Sequence, residues 1–127
     1  TNTKIRRFTT ALTNVGTAIT YADSAANGAT FTINETGLYA MCLVDGLTAG
    51  DTRVGISVNS TELTTDIQSI ASANIVAWSH ATAASSETVS RTMRLVATDV
   101  IRCHSQGAAS SNTTAQTSRF SISKVSI

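Results

Sequence analysis

The chain has 127 residues, a formal net charge of +1, no proline and two cysteines, a length that suits one domain over residues 1–127 with a core of its own. Charged residues make up only 13% and aromatic residues 5%, so composition gives no basic footprint for nucleic acid or an anionic bilayer and no charge-rich disordered tail. No apolar run approaches the roughly 20 residues needed to cross a membrane, and no secretory leader is read at the start.

In residues 4–12 the cations Lys4, Arg6 and Arg7 precede Phe8 and Leu12, and the pattern predicts a first strand that ends at Thr13, Asn14, Val15 and Gly16. A short piece over residues 19–21 leads into a loop whose Asn27-Gly28 dipeptide favours positive φ at both positions. Ala29, Phe31 and Ile33 then alternate with Thr30, Thr32 and Asn34, the period of a half-buried strand. Asn34 to Gly37 is turn chemistry.

Residues 38–44 are apolar in both phases: Leu38, Ala40, Cys42 and Val44 in one, Tyr39, Met41 and Leu43 in the other. An antiparallel strand normally leaves one face wet. A strand covered on both sides implies that a second subunit completes the fold. Val54, Ile56 and Val58 return to simple alternation.

Residues 63–70 are read as a strand or irregular crossing, although Leu63, Ile67 and Ile70 also fit a helical spacing. The stretch 74–83 alternates Val76, Trp78 and His80 against Ile75, Ala77 and Ser79, which predicts a strand. Another follows over 88–96, with Val89, Met93 and Leu95 in one phase, before a corner at Thr98-Asp99 and a strand over 100–105. A small-residue polar loop at 107–114 precedes a closing strand within 116–127. About eight to ten short strands separated by turn signals predict an all-β, two-sheet antiparallel sandwich, with the jelly roll as the best single topology.

Candidate chemistry is sparse. The carboxylates Asp23, Glu35, Asp45, Asp51, Glu62, Asp66, Glu87 and Asp99 fall mostly in turns, with no spacing that brings two to one substrate. Asp45 and Asp51 flank residues 46–50 and are the one oxygen pair weighed for calcium, below turn formation, so no metal is assigned. Cys103 and His104 are adjacent and point to opposite faces of a strand, which does not make a zinc pair. No nucleophile elbow, phosphate loop or dinucleotide fingerprint occurs. The chain therefore reads as a non-enzyme without a cofactor. Cys42 and Cys103 read either as two buried thiols or, if their strands are neighbours, as a bridge. Trp78, the one tryptophan, reads as core or subunit packing, or else as an exposed stacking platform.

Three motifs in order carry a family resemblance. Phe31, Ile33, Gly37 and Tyr39 give F-x-I-x-x-x-G-x-Y, which resembles the opening of a C1q/TNF-like domain. Leu95, Asp99, Val100 and Ile101 resemble its L-x-x-G-D-x-(V/I) corner, with Thr98 where glycine is usual. Arg119 to Ile122 resembles its closing F-x-G-(F/I) strand, with Ser121 replacing the glycine. The match spans residues 28–127, and the Ser/Thr/Ala texture is most similar to bacteriophage and bacterial members on virion fibres and spore filaments.

The resemblance implies a trimer of jelly rolls packed about a threefold axis. Leu38, Ala40, Cys42 and Val44 would face the neighbours, with Tyr39, Met41 and Leu43 in the sandwich core. On the last strand Phe120 and Ile122 would point inward and Arg119, Ser121 and Ser123 toward the axis. The implied role is a virion-surface structural protein, a capsid decoration protein or fibre head. Its partners would be its own copies and other virion proteins, with docking through Lys4, Arg6 and Arg7. The alternatives are an adhesin tip that binds a host receptor or carbohydrate, and the cap of a bacterial surface filament.

Overall fold

The computed structural model describes residues 2, 4–47, 51–83, 86–106 and 118–126. The predicted variable loop at 107–114 lies outside them. Among the described residues the strands are β1 (Ile19–Ser24), β2 (Gly28–Ile33), β3 (Gly37–Gly46), β4 (Thr52–Val58), β5 (Ile75–Ala81), β6 (Ser86–Leu95), β7 (Val100–Ser105) and β8 (Arg119–Ser126). They form a five-stranded sheet in the order β1-β2-β7-β4-β5 and a three-stranded sheet in the order β6-β3-β8. All pairings are antiparallel. Three of them are nested: β2 with β7, β3 with β6 and β4 with β5, and successive pairs alternate between the sheets.

Period-2 alternation puts one face of each layer inside. Ala29, Phe31 and Ile33 on β2, Val54 and Ile56 on β4, and Ile101 and Cys103 on β7 meet Tyr39, Met41 and Leu43 on β3 and Val89 and Leu95 on β6 in one core. Phe120 of β8 packs at a tilt across to Phe31, at a centroid distance of 4.8 Å. Tyr21 lies 5.1 Å from the same ring. Each large side chain buried this way contributes about 1.5–3 kcal/mol before chain entropy is counted.

Three local expectations are corrected. Residues 4–12 do not form a strand; one bridge, Ile5 to His104, is all the ladder they make. The reason is where they run. β2 and β7 pair only at Phe31–Ile101 and Thr32–Val100, and below that point the N-terminal segment fills the gap between them. The Arg6 amide donates to the Cys103 carbonyl (2.8 Å), the Ala29 amide to the Arg6 carbonyl (3.0 Å) and the Ser105 amide to the Lys4 carbonyl (2.8 Å). Gly28, at φ +74°, makes room for this insertion: a Cβ there would stand 2.6 Å from the Ile5 side chain. Asn27 does not share its positive φ. Beyond it, residues 9–17 are exposed, including Leu12 and Val15.

Of the two readings of 63–70, strand or irregular crossing, the structure shows the irregular one. It is a turn followed by a 3₁₀ helix over Ile67–Ser69, which buries Ile67 on the outer side of the five-stranded sheet beside Gly55, and Ile70 just after it is buried too. In β5 the expected phase of Val76, Trp78 and His80 is split by a register shift opposite Ile56 and Ser57. Val76 turns into the core while Trp78 and His80 stay outside.

Arg6 points between the sheets, where its guanidinium meets Asp45 at the end of β3. Both side chains are buried, at 3% and 1% exposure. Ser118 ties the pair to the start of β8: it accepts from Arg6 Nη2 at 2.7 Å and donates to Asp45 Oδ1 at 3.1 Å. Burial pulls the Arg6 pKa below its ordinary value, opposed by the Asp45 charge. Desolvating both ions offsets much of their attraction, so the pair fixes geometry more than it adds stability. Arg6→Ala, which leaves the carboxylate alone, should cost about 3–5 kcal/mol in urea unfolding. The double change Arg6→Met with Asp45→Leu should recover most of that loss.

Candidate functional site

The outer face of the three-stranded sheet is built around β3. Its inward phase is closed: Tyr39, Met41 and Leu43 are at most 2% exposed, and the Tyr39 hydroxyl donates to the Glu35 carbonyl at 2.6 Å. Its outward phase carries Leu38, exposed at 37%, and Ala40, Cys42 and Val44, all half-buried.

Register fixes what flanks them. Ala40 lies between Thr92 of β6 and Ser123 of β8, Cys42 between Ser90 and Ser121, and Val44 between Thr88 and Arg119. Leu38 sits between Arg94 and Ser126. The result is an apolar stripe edged by short hydroxyl side chains, with an arginine at each end. All seven expected interface residues, Leu38, Ala40, Cys42, Val44, Arg119, Ser121 and Ser123, share this face. Gly37 lets β8 come close at one end, since a Cβ there would stand 2.6 Å from the Ser126 carbonyl oxygen. Sequence reasoning missed the contributions of Thr88, Ser90, Thr92 and Arg94. Their polar phase was visible, but its placement beside β3 needs the register.

The expected docking cations are answered within the chain. Lys4 Nζ is 3.0 Å from Asp66, and Arg7 grips Asp23 through Nε and Nη2 at 2.9–3.2 Å. Arg6 is inside the sandwich with Asp45. Lys4, Arg6 and Arg7 therefore do not make an open basic patch, and Arg6 drops out as a surface contact. The same pair removes the calcium reading, because Asp45 is held by Arg6 while Asp51 binds His80 and Arg53. Among the described residues no cluster of three or more His, Cys, Asp and Glu forms a metal site.

Both cysteines are free. Cys42 faces outward from the three-stranded sheet while Cys103 is at 0% exposure in the core on the other sheet, which rules out the bridge. Burial, with the nearby Asp45 charge, pushes the Cys103 thiol well above its ordinary pKa.

One Ser–His contact has the distance of a nucleophile and base: His104 Nε2 to Ser57 Oγ, 2.7 Å. Its setting does not suit catalysis. Ser57 is at 0% exposure and His104 at 1%, and His104 Nδ1 meets no orienting group among the described residues. His104 pairs with Ile5 through a backbone bridge, and its side chain is closed to solvent. No family model matches the chain, and no curated protein matches it either.

Burial, and then the Arg102 charge, lower the His104 pKa from 6.5 to about 4. Between those values an unfolded chain takes up a proton that the folded one refuses. Stability present above pH 6.5 should therefore fall as the pH drops toward 4, by about 3 kcal/mol in all. Urea midpoints measured between pH 7 and 5, above most carboxylate titration, should show this slope in the native chain. His104→Gln should flatten it.

Proposed function

We propose that this chain is a non-enzymatic structural module that works as a homotrimer at a virion surface, as a capsid decoration protein or fibre head. The subunit is a jelly roll, and its β6-β3-β8 sheets pack around the threefold axis. The observation that carries this reading is the outward phase of β3: an apolar stripe in the middle of a sheet, edged by small hydroxyls and left open among the described residues. A contiguous apolar surface of this kind in a β-sandwich marks an interaction site.

Two further features support the jelly roll. Nested pairing of β2 with β7, β3 with β6 and β4 with β5, alternating between layers, is what a long hairpin rolled into two sheets produces. Thr98 holds φ +83° at the corner where the C1q/TNF-like pattern has glycine. A β-branched residue is strained in that conformation, so the corner keeps a glycine's geometry without a glycine. The virion setting rests on the resemblance of the motifs and of the Ser/Thr/Ala texture. Other virion proteins are the partners, met through surfaces other than Arg6.

Light scattering on the purified chain should give the mass of three copies. Ala40→Glu places three like charges in a desolvated stripe near one axis, at a cost of several kcal/mol, and should yield monomers or aggregates. Thr32→Ser, on β2 of the other sheet, should stay trimeric. A monomeric native chain, or a trimeric Ala40→Glu, contradicts the reading. Gold label against this chain should decorate intact particles; particles without label contradict the virion setting.

A further inference from the structure

On the far side of the sandwich, β4 and β5 bring a second set of side chains together. Val54 and Ile56 point into the core, so Arg53 and Gly55 point out, and register sets Gly55 opposite Trp78 and Arg53 opposite His80. Trp78 is 44% exposed. The base of its side chain is held in place: a Cβ on Gly55 would stand 2.7 Å from Trp78 Cβ and 2.7 Å from Ile67, so the indole starts from bare β4 backbone beside a buried isoleucine. Two residues along β5, roughly 7 Å away, His80 Nε2 is 2.6 Å from Asp51 Oδ1. Arg53 Nη1 donates to the same oxygen at 3.4 Å.

We propose that Trp78, with Asp51, Arg53 and His80 beside it, forms a shelf for one ring of a neutral saccharide. An indole face offers an apolar surface to the C–H side of a pyranose. Adjacent sugar hydroxyls each donate and accept. The polar end supplies both functions, since the Asp51 carboxylate accepts while the Arg53 guanidinium donates, with His80 Nε2 engaged on Asp51. The His80 hydrogen bond, followed by the Arg53 charge, holds the Asp51 carboxyl below its ordinary range, which keeps it an acceptor at neutral pH. The Arg53 charge is matched by Asp51, and this favours a neutral ring over an acidic one, which would call for an unmatched cation. The shelf lies on the sheet turned away from the proposed axis, so it does not depend on the trimer.

Trp78 is the one tryptophan in the chain, so intrinsic fluorescence reports this residue alone. The probes are glucose, galactose, mannose and N-acetylglucosamine, with N-acetylneuraminic acid as the acidic comparison. At least one neutral sugar should shift or quench the emission saturably, in the millimolar range. Asp51→Ala, with an unchanged circular dichroism spectrum, should weaken that response by about tenfold or more. Three results overturn the proposal: no saturable response to any neutral sugar, a response as strong in Asp51→Ala as in the native chain, or a response to the acidic sugar alone.

Discussion

A carboxylate at the inner end of an apolar strand has to be met by a cation, and meeting Asp45 organises this fold. The partner is Arg6, which is 39 residues away in sequence. To reach Asp45, the N-terminal segment leaves the surface and runs between β2 and β7, where its amides and carbonyls take over the missing ladder. Ile5 then closes against Gly28 and pairs with His104 through a backbone bridge. Ser118 brings the entry to β8 to the same carboxylate. One ion pair thus joins both sheets and both ends of the chain. Buried pairs of this kind contribute little net stability, and their value here is to leave the N-terminal segment one place to lie.

With that end closed, the sandwich core is complete without the outward phase of β3. Leu38, Ala40, Cys42 and Val44 add nothing to it, yet they are apolar at the centre of a three-stranded sheet. Short side chains on β6 and β8, Ser90, Thr92, Ser121 and Ser123, keep the stripe flat and let another backbone approach. A small sheet with few long side chains on its outer face is poorly suited to facing water and well suited to facing copies of itself.

Alternation separated residues 38–44 and β8 into two phases each, and the family resemblance was what assigned each phase to a face. The structure puts Tyr39, Met41 and Leu43 inside, and a period of two then leaves the other phase no choice. What was illegible depended on long-range register. Nothing local distinguishes Arg6 as a core cation from Lys4 and Arg7 beside it, because the deciding residue is Asp45. The residues 4–7 resemble a strand in sequence and act as a wedge between two strands. In β5 a register shift sends Val76 inward while Trp78 and His80 remain outside, which no alternation can foretell. The candidate face was half visible for the same reason: β3 and β8 announced their outward residues, while β6 waited on its pairing. Nor could sequence place Asp51 and Arg53 beside Trp78, since the strand pairing of β4 with β5 does that.

The central claim is that copies of this chain cover the outward phase of β3, and the Cys42 thiol measures that cover directly. It faces outward on the stripe, while Cys103, at 0% exposure in the core, serves as the internal standard for a thiol released only by unfolding. Thiol labelling followed alongside particle mass should find Cys42 protected wherever the mass is that of three copies. It should become reactive ahead of Cys103 once dilution separates them. A Cys42 that reacts as fast in the native particle as in a denatured chain, or a chain that stays monomeric at every concentration, would contradict the account.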